Sequence, residues 1–121
     1  MAEKVVNSSV APRMFELFEE ICKIPHGSEN EAQIAEYIAD FARKRGLYVY
    51  KDKANNVLVR KPATIGRENE PAILLQGHTD MVCEKDGDVE HDFFKDGLKL
   101  YVDGEGFLLI QPPRARRRLE R

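Results

Sequence analysis

The residues best equipped for chemistry in this chain are a histidine and an aspartate one position apart, His78 and Asp80, which follow an apolar run that closes on Gly77. In an extended backbone, residues i and i+2 point to the same side, so the imidazole and the carboxylate can converge on one place. That pairing suits metal chemistry. His78 would be the ligand, and Asp80 would accept the other ring N–H, fixing the tautomer and raising the basicity of the ligating nitrogen. Spacing alone leaves a plainer reading open, in which His78 is a half-buried polar residue at a strand end and Asp80 shapes a turn.

Other polar groupings are weaker. Cys22-x-x-x-His26, and Cys83 with His91, lack the paired Cys-x-x-Cys spacing of structural zinc. Cys22 falls on the apolar face of a predicted helix, which is a core position. Two widely separated thiols in a chain without a secretion signal read as reduced rather than bridged. Glu84, Asp86, Asp88, Glu90 and Asp92 alternate as in a calcium loop. They lack the ligand ladder and closing glutamate of an EF-hand, so a solvated loop is expected, with His91 as one of its residues.

The elements that must position His78 and Asp80 follow from periodicity. Pro12 to Lys23 carries Met14, Phe15, Leu17, Phe18, Ile21 and Cys22 at helical spacing, and Pro25 ends that helix. Ser28-Glu29-Asn30-Glu31 reads as a capping box opening a second helix from Ser28 to Arg45. Ile34, Ala35, Ile38, Ala39, Phe41 and Ala42 form its buried stripe, and Arg43-Lys44-Arg45-Gly46 suits its C-terminus. The period then shifts towards two. Leu47–Tyr50 and Val57–Arg60 are predicted strands about an Asn55-Asn56 turn, and Pro71 to Gln76 is a third strand. Ile73, Leu74 and Leu75 in succession suggest a strand covered on both faces, hence central. Lys99 to Gly104 fits the first strand of a later hairpin. Helices followed by strands predict an α/β arrangement, with His78 beyond the carboxyl end of the central strand, where such sheets bind ligands.

Composition fits a well-solvated domain: 121 residues, 42% hydrophobic and 33% charged, are enough for one core. No apolar run approaches the roughly 20 residues of a membrane span, and Met1-Ala2-Glu3-Lys4 does not resemble a secretion signal, so a cytoplasmic location is expected and no membrane partner.

Read whole, Ala72-Ile73-Leu74-Leu75-Gln76-Gly77-His78-Thr79-Asp80-Met81-Val82-Cys83-Glu84-Lys85 resembles the first metal-site motif of the zinc aminopeptidase, aminoacylase and carnosinase-like metallopeptidases. Its wording is most similar to the bacterial aminoacyl-histidine dipeptidases, also called cytosol non-specific dipeptidases. Phe15 to Ser28 resembles their opening helix and turn, Asp52 to Val57 their first hairpin, and His91-Asp92-Phe93 with Lys95-Asp96 continues the likeness. It runs from about Met14 to about Phe107. The resemblance implies the N-terminal portion of a zinc-peptidase-like α/β catalytic domain: two helices, then strands of a mixed sheet. It also implies a pair of metal ions, usually zinc with manganese or cobalt possible, an unblocked dipeptide substrate including Xaa-His, and a homodimer in the intact family. Only two roles carry over by position: His78 as a ligand to one metal, and Asp80 as the carboxylate that orients it. The bridging aspartate, the Glu-Glu pair with its general base and the later ligands have no counterpart. The chain as it stands is therefore expected to be an inactive fragment that does not hold zinc tightly.

The expected division is residues 1–107 as the metallopeptidase-like part and 108–121 as an unrelated tail. Residues 111–121 hold five arginines against one glutamate, a charge of +4 beside −6 for the rest. Such a tail could engage nucleic acid or an acidic partner, or the fragment could pair with a full-length dipeptidase. The preferred expectation is a frameshift between about Phe107 and Ala115. Codons for Ala115-Arg116-Arg117-Arg118, read from the second base, can encode Leu-Gly-Ala-Asp, the wording the family carries at its bridging aspartate.

Overall fold

The computed structural model describes residues 4–110. Helix α1 spans Pro12–Cys22 and opens on Pro12, whose fixed φ and missing N–H cost nothing in a first turn. Its buried positions are Cys22 and, against expectation for a carboxylate, Glu19. Glu19 is satisfied by the backbone N–H groups of Val5 (3.1 Å) and Val6 (2.7 Å), which hold the preceding arm against the helix.

Helix α2 spans Ala32–Arg43 and supplies most of the core: Ile34, Ala35, Ala39 and Ala42 are buried on one face. Three alanines in that stripe let the helix lie close on the hairpin formed by β1 (Tyr48–Lys51) and β2 (Val57–Arg60). The hairpin is antiparallel, with Tyr48 opposite Arg60 and Lys51 opposite Val57. Its turn is organised by Asp52, whose Oδ1 accepts from the N–H groups of Ala54 and Asn56 at 2.9 Å each, while Asn55 takes the left-handed backbone that asparagine tolerates. The Tyr37 hydroxyl donates to Glu20, joining α2 to α1.

A second antiparallel hairpin pairs β3 (Leu100–Val102) with β4 (Leu108–Ile110). Asp103 repeats the device of Asp52, accepting from the N–H groups of Glu105 and Phe107 at 2.9 Å each. Residues 108–110 are thus a strand; the arginine-rich stretch 111–121, and with it the greater part of the span expected for the frameshift, lies outside the described residues. The loop feeding β3 docks on the end of α1, with the Leu98 N–H donating to the Cys22 carbonyl at 2.6 Å.

The α/β class stands, and both helices, the β1–β2 hairpin and strand β3 lie within the predicted segments, whereas β4 falls inside the 108–121 stretch expected to be a tail. Two expectations need correction. Pro71 to Gln76 forms no strand pairing, and Ile73, Leu74 and Leu75 stand 88%, 78% and 90% exposed. A strand is defined by its neighbours, and among the described residues none comes alongside. Nor does Ser28 open α2. The helix begins after Glu31 without a side-chain cap; Glu31 instead reaches back to the Glu29 N–H at 2.7 Å, and the Ser28 hydroxyl is used elsewhere.

Candidate metal-ligand site

His78 sits on the extended segment after Gly77 with its side chain 83% exposed. Its Nδ1 lies 3.0 Å from Asp80 Oδ1 and 3.0 Å from the Asp80 carbonyl oxygen. Both are acceptors, so Nδ1 carries a proton and donates, and in the neutral imidazole the lone pair is then on Nε2. The two residues that spacing pairs are thus within hydrogen-bond distance of each other.

Asp80 is held from its other side. The Ser28 hydroxyl donates to Asp80 Oδ2 at 2.7 Å across 52 residues of sequence. That bond first, and the His78 ring N–H second, hold the Asp80 carboxyl below its ordinary range, so it stays ionised and acceptor-only. The backbone reinforces the contact: Met81 N–H donates to the His26 carbonyl at 2.9 Å, and Ser28 N–H donates to the Met81 carbonyl at 3.1 Å. These bonds make a single parallel bridge between Gly27 and Met81. A β-carbon on Gly27 would meet Cys83 Sγ, so a larger residue there would turn the exposed Cys83 side chain aside.

Ser28 is the site residue that sequence reasoning missed. Its type and spacing matched a helix cap, and no local pattern reports a partner 52 positions away. The other groupings do not converge: Cys22 is buried, His26 Nδ1 donates to the Ile24 carbonyl at 2.6 Å, and His91 stacks edge-on against Phe93. Cys22 and Cys83 are both free thiols. Among the described residues no three His, Cys, Asp or Glu side chains gather as a metal would need, and no helix is long and apolar enough to cross a membrane. Beside the Gly27–Met81 bridge lies an open cleft of about 480 Å³ lined by Ser28, Asn30, Cys83, His91 and Phe94.

No family model matches the chain. Among curated proteins it is 46% identical over 99 residues to the cytosol non-specific dipeptidase of Escherichia coli (strain K12), a match covering 81% of this chain and 20% of that protein. Among solved structures it superposes on the aminoacylhistidine dipeptidase of Vibrio alginolyticus with a TM-score of 0.79 and 38% identity, covering 93% of this chain and 23% of the other. In sequence and fold the chain is therefore similar to one α/β segment of these dipeptidases. More particularly, the chain corresponds to part of an aminoacyl-histidine dipeptidase, or cytosol non-specific dipeptidase, and spans about a fifth of the length of the relatives it matches.

Proposed function

We propose that this chain carries the first metal-ligand element of a dinuclear metallo-dipeptidase, with His78 as the ligand through Nε2 and Asp80 as its orienting carboxylate. The observation that carries the reading is the hydrogen bond from His78 Nδ1 to Asp80, which in the neutral ring leaves the lone pair on Nε2. A ligating histidine is held in this way, by a carboxylate on the nitrogen that does not bind metal. The residues present fit one ligand position and no more, since a catalytic zinc needs about three protein ligands and an open site.

The activity proposed for the longer protein is hydrolysis of unblocked dipeptides, Xaa-His among them. When bound, the metal pair, zinc with manganese or cobalt as substitutes, would polarise the peptide carbonyl and acidify the attacking water. This chain's own contribution is narrower. Asp80 places the ring proton on Nδ1, Ser28 keeps Asp80 ionised and aimed, and the Gly27–Met81 bridge fixes the segment that bears both.

The 121-residue chain alone is expected to lack dipeptidase activity, because a single exposed imidazole competes poorly with water for zinc. Hydrolysis of a Xaa-His dipeptide by the purified chain, with zinc or manganese added, tests this, and robust turnover would overturn it. The ligand assignment has a separate test. Trace Mn²⁺ should broaden the His78 ring signals before those of His26 or His91, and the opposite order would reject His78.

A further inference from the structure

We propose that Ser28 is a positioning residue for the metal ligand: its hydroxyl clamps Asp80 Oδ2, so that Asp80 Oδ1 faces the His78 ring and selects the tautomer with Nε2 free. The inference deepens the reading of His78 and Asp80 as ligand and orienter, and rests on it.

The geometry is a chain of three side chains. Ser28 Oγ to Asp80 Oδ2 is 2.7 Å, and Asp80 Oδ1 to His78 Nδ1 is 3.0 Å. A carboxylate on an exposed segment can turn about both side-chain torsions, and ordering it costs rotamer entropy. Asp80 has two calls on it from opposite sides, and a hydroxyl fixed on the far oxygen removes that freedom before the imidazole arrives. The anchor is itself anchored. Ser28 N–H donates to the Met81 carbonyl and Asn30 N–H to the Gly27 carbonyl, so the turn bearing the hydroxyl is tied to the residue next to Asp80 and to itself. The Ser28 side chain makes no cap bond to α2, which leaves its hydroxyl committed to Asp80. Hydrogen bonds to a charged acceptor are also the stronger kind, which favours Asp80 over a backbone carbonyl as the partner.

The test reads the tautomer of His78 in the 121-residue chain, from the ring ¹⁵N shifts of uniformly labelled protein at about pH 8.5, where an ordinary imidazole is neutral. His78→Gln identifies the signals. In the unsubstituted chain the form protonated on Nδ1 is expected to dominate. Ser28→Ala should lower the ratio of that form to the Nε2–H form by about three-fold, the scale of one exposed hydrogen bond, and Ser28→Thr, which keeps the hydroxyl, should restore it. Gly27→Ala crowds the exposed Cys83 thiol and leaves both the hydroxyl and the backbone bridge in place. If Gly27→Ala lowers the ratio as far as Ser28→Ala does, or if Ser28→Ala leaves it unchanged while Asp80→Asn alters it, Ser28 is not the positioning group. If Asp80→Asn also leaves the ratio unchanged, the orienting role of Asp80 fails, and with it both readings.

Discussion

Leu75 offers a sharp test of the unpaired segment. In a central strand covered on both faces, replacing a leucine by serine would cost several kcal/mol. Here the side chain is 90% exposed. Complete burial of a leucine contributes about 1.5–3 kcal/mol, so the tenth of its surface that Leu75 hides is worth about 0.2–0.3 kcal/mol. Leu75→Ser should therefore shift the urea unfolding free energy, followed by far-ultraviolet circular dichroism, by less than about 0.5 kcal/mol. Ile34→Ala provides the contrast. Ile34 is 2% exposed on the buried face of α2, and the substitution deletes three buried carbons, about 2.4 kcal/mol of transfer free energy before any cavity term. A loss near 3 kcal/mol is expected, enough to leave a domain of this size mostly unfolded at modest denaturant. Solubility should move in the other direction, with Leu75→Ser reducing association through the exposed apolar run. A destabilisation above about 1 kcal/mol for Leu75→Ser would refute the reasoning, since it requires a neighbour on that segment.

Three further outcomes are expected. Tyr37, pushed up to about 12 by burial and then by the Glu20 carboxylate, should give a late component in a tyrosinate absorbance titration that Tyr37→Phe removes. Because the folded value is raised, its stabilisation is complete below the ordinary phenol range and is lost as pH rises through about 12. Asp52 is held below its ordinary value, first by the Asn56 side chain, so the β1–β2 turn keeps that support above the ordinary carboxylate range and loses it as pH falls through the lowered folded value; amide shifts of Ala54 and Asn56 report the loss. Cys22 is buried, and its thiol is pushed up by desolvation and then by Glu19, whereas Cys83 is exposed. Iodoacetamide should label Cys83 in the folded chain and Cys22 only on unfolding, as peptide mapping would read.

What was legible in the sequence is what is decided locally. The stripe of Ile34, Ala35, Ala39 and Ala42 needs only a helical period, and the Asp52 to Asn56 turn is closed by residues four apart, so both were readable. His78 and Asp80 were readable for the same reason, being neighbours on one side of an extended segment. The third strand was not, because Ile73 to Leu75 encodes a burial that other parts of a chain must supply. Ser28 was misread for a related cause. Its hydroxyl could serve a helix end or a carboxylate, and the choice is made by a residue brought near only in three dimensions.

The single bridge between Gly27 and Met81 also sets an order of events. Helix α2 and the β1–β2 hairpin close loops of a few residues each and bury the alanine stripe as they do so. The Ser28–Asp80 contact must instead close a loop spanning 52 positions, with one hydroxyl and two backbone hydrogen bonds as its reward. Loops of that length are slow to close and are the first to reopen. The ligand segment thus matures after α2 and lets go before it, and in hydrogen exchange the amides of Ser28 and Met81 will report that release well before those of α2.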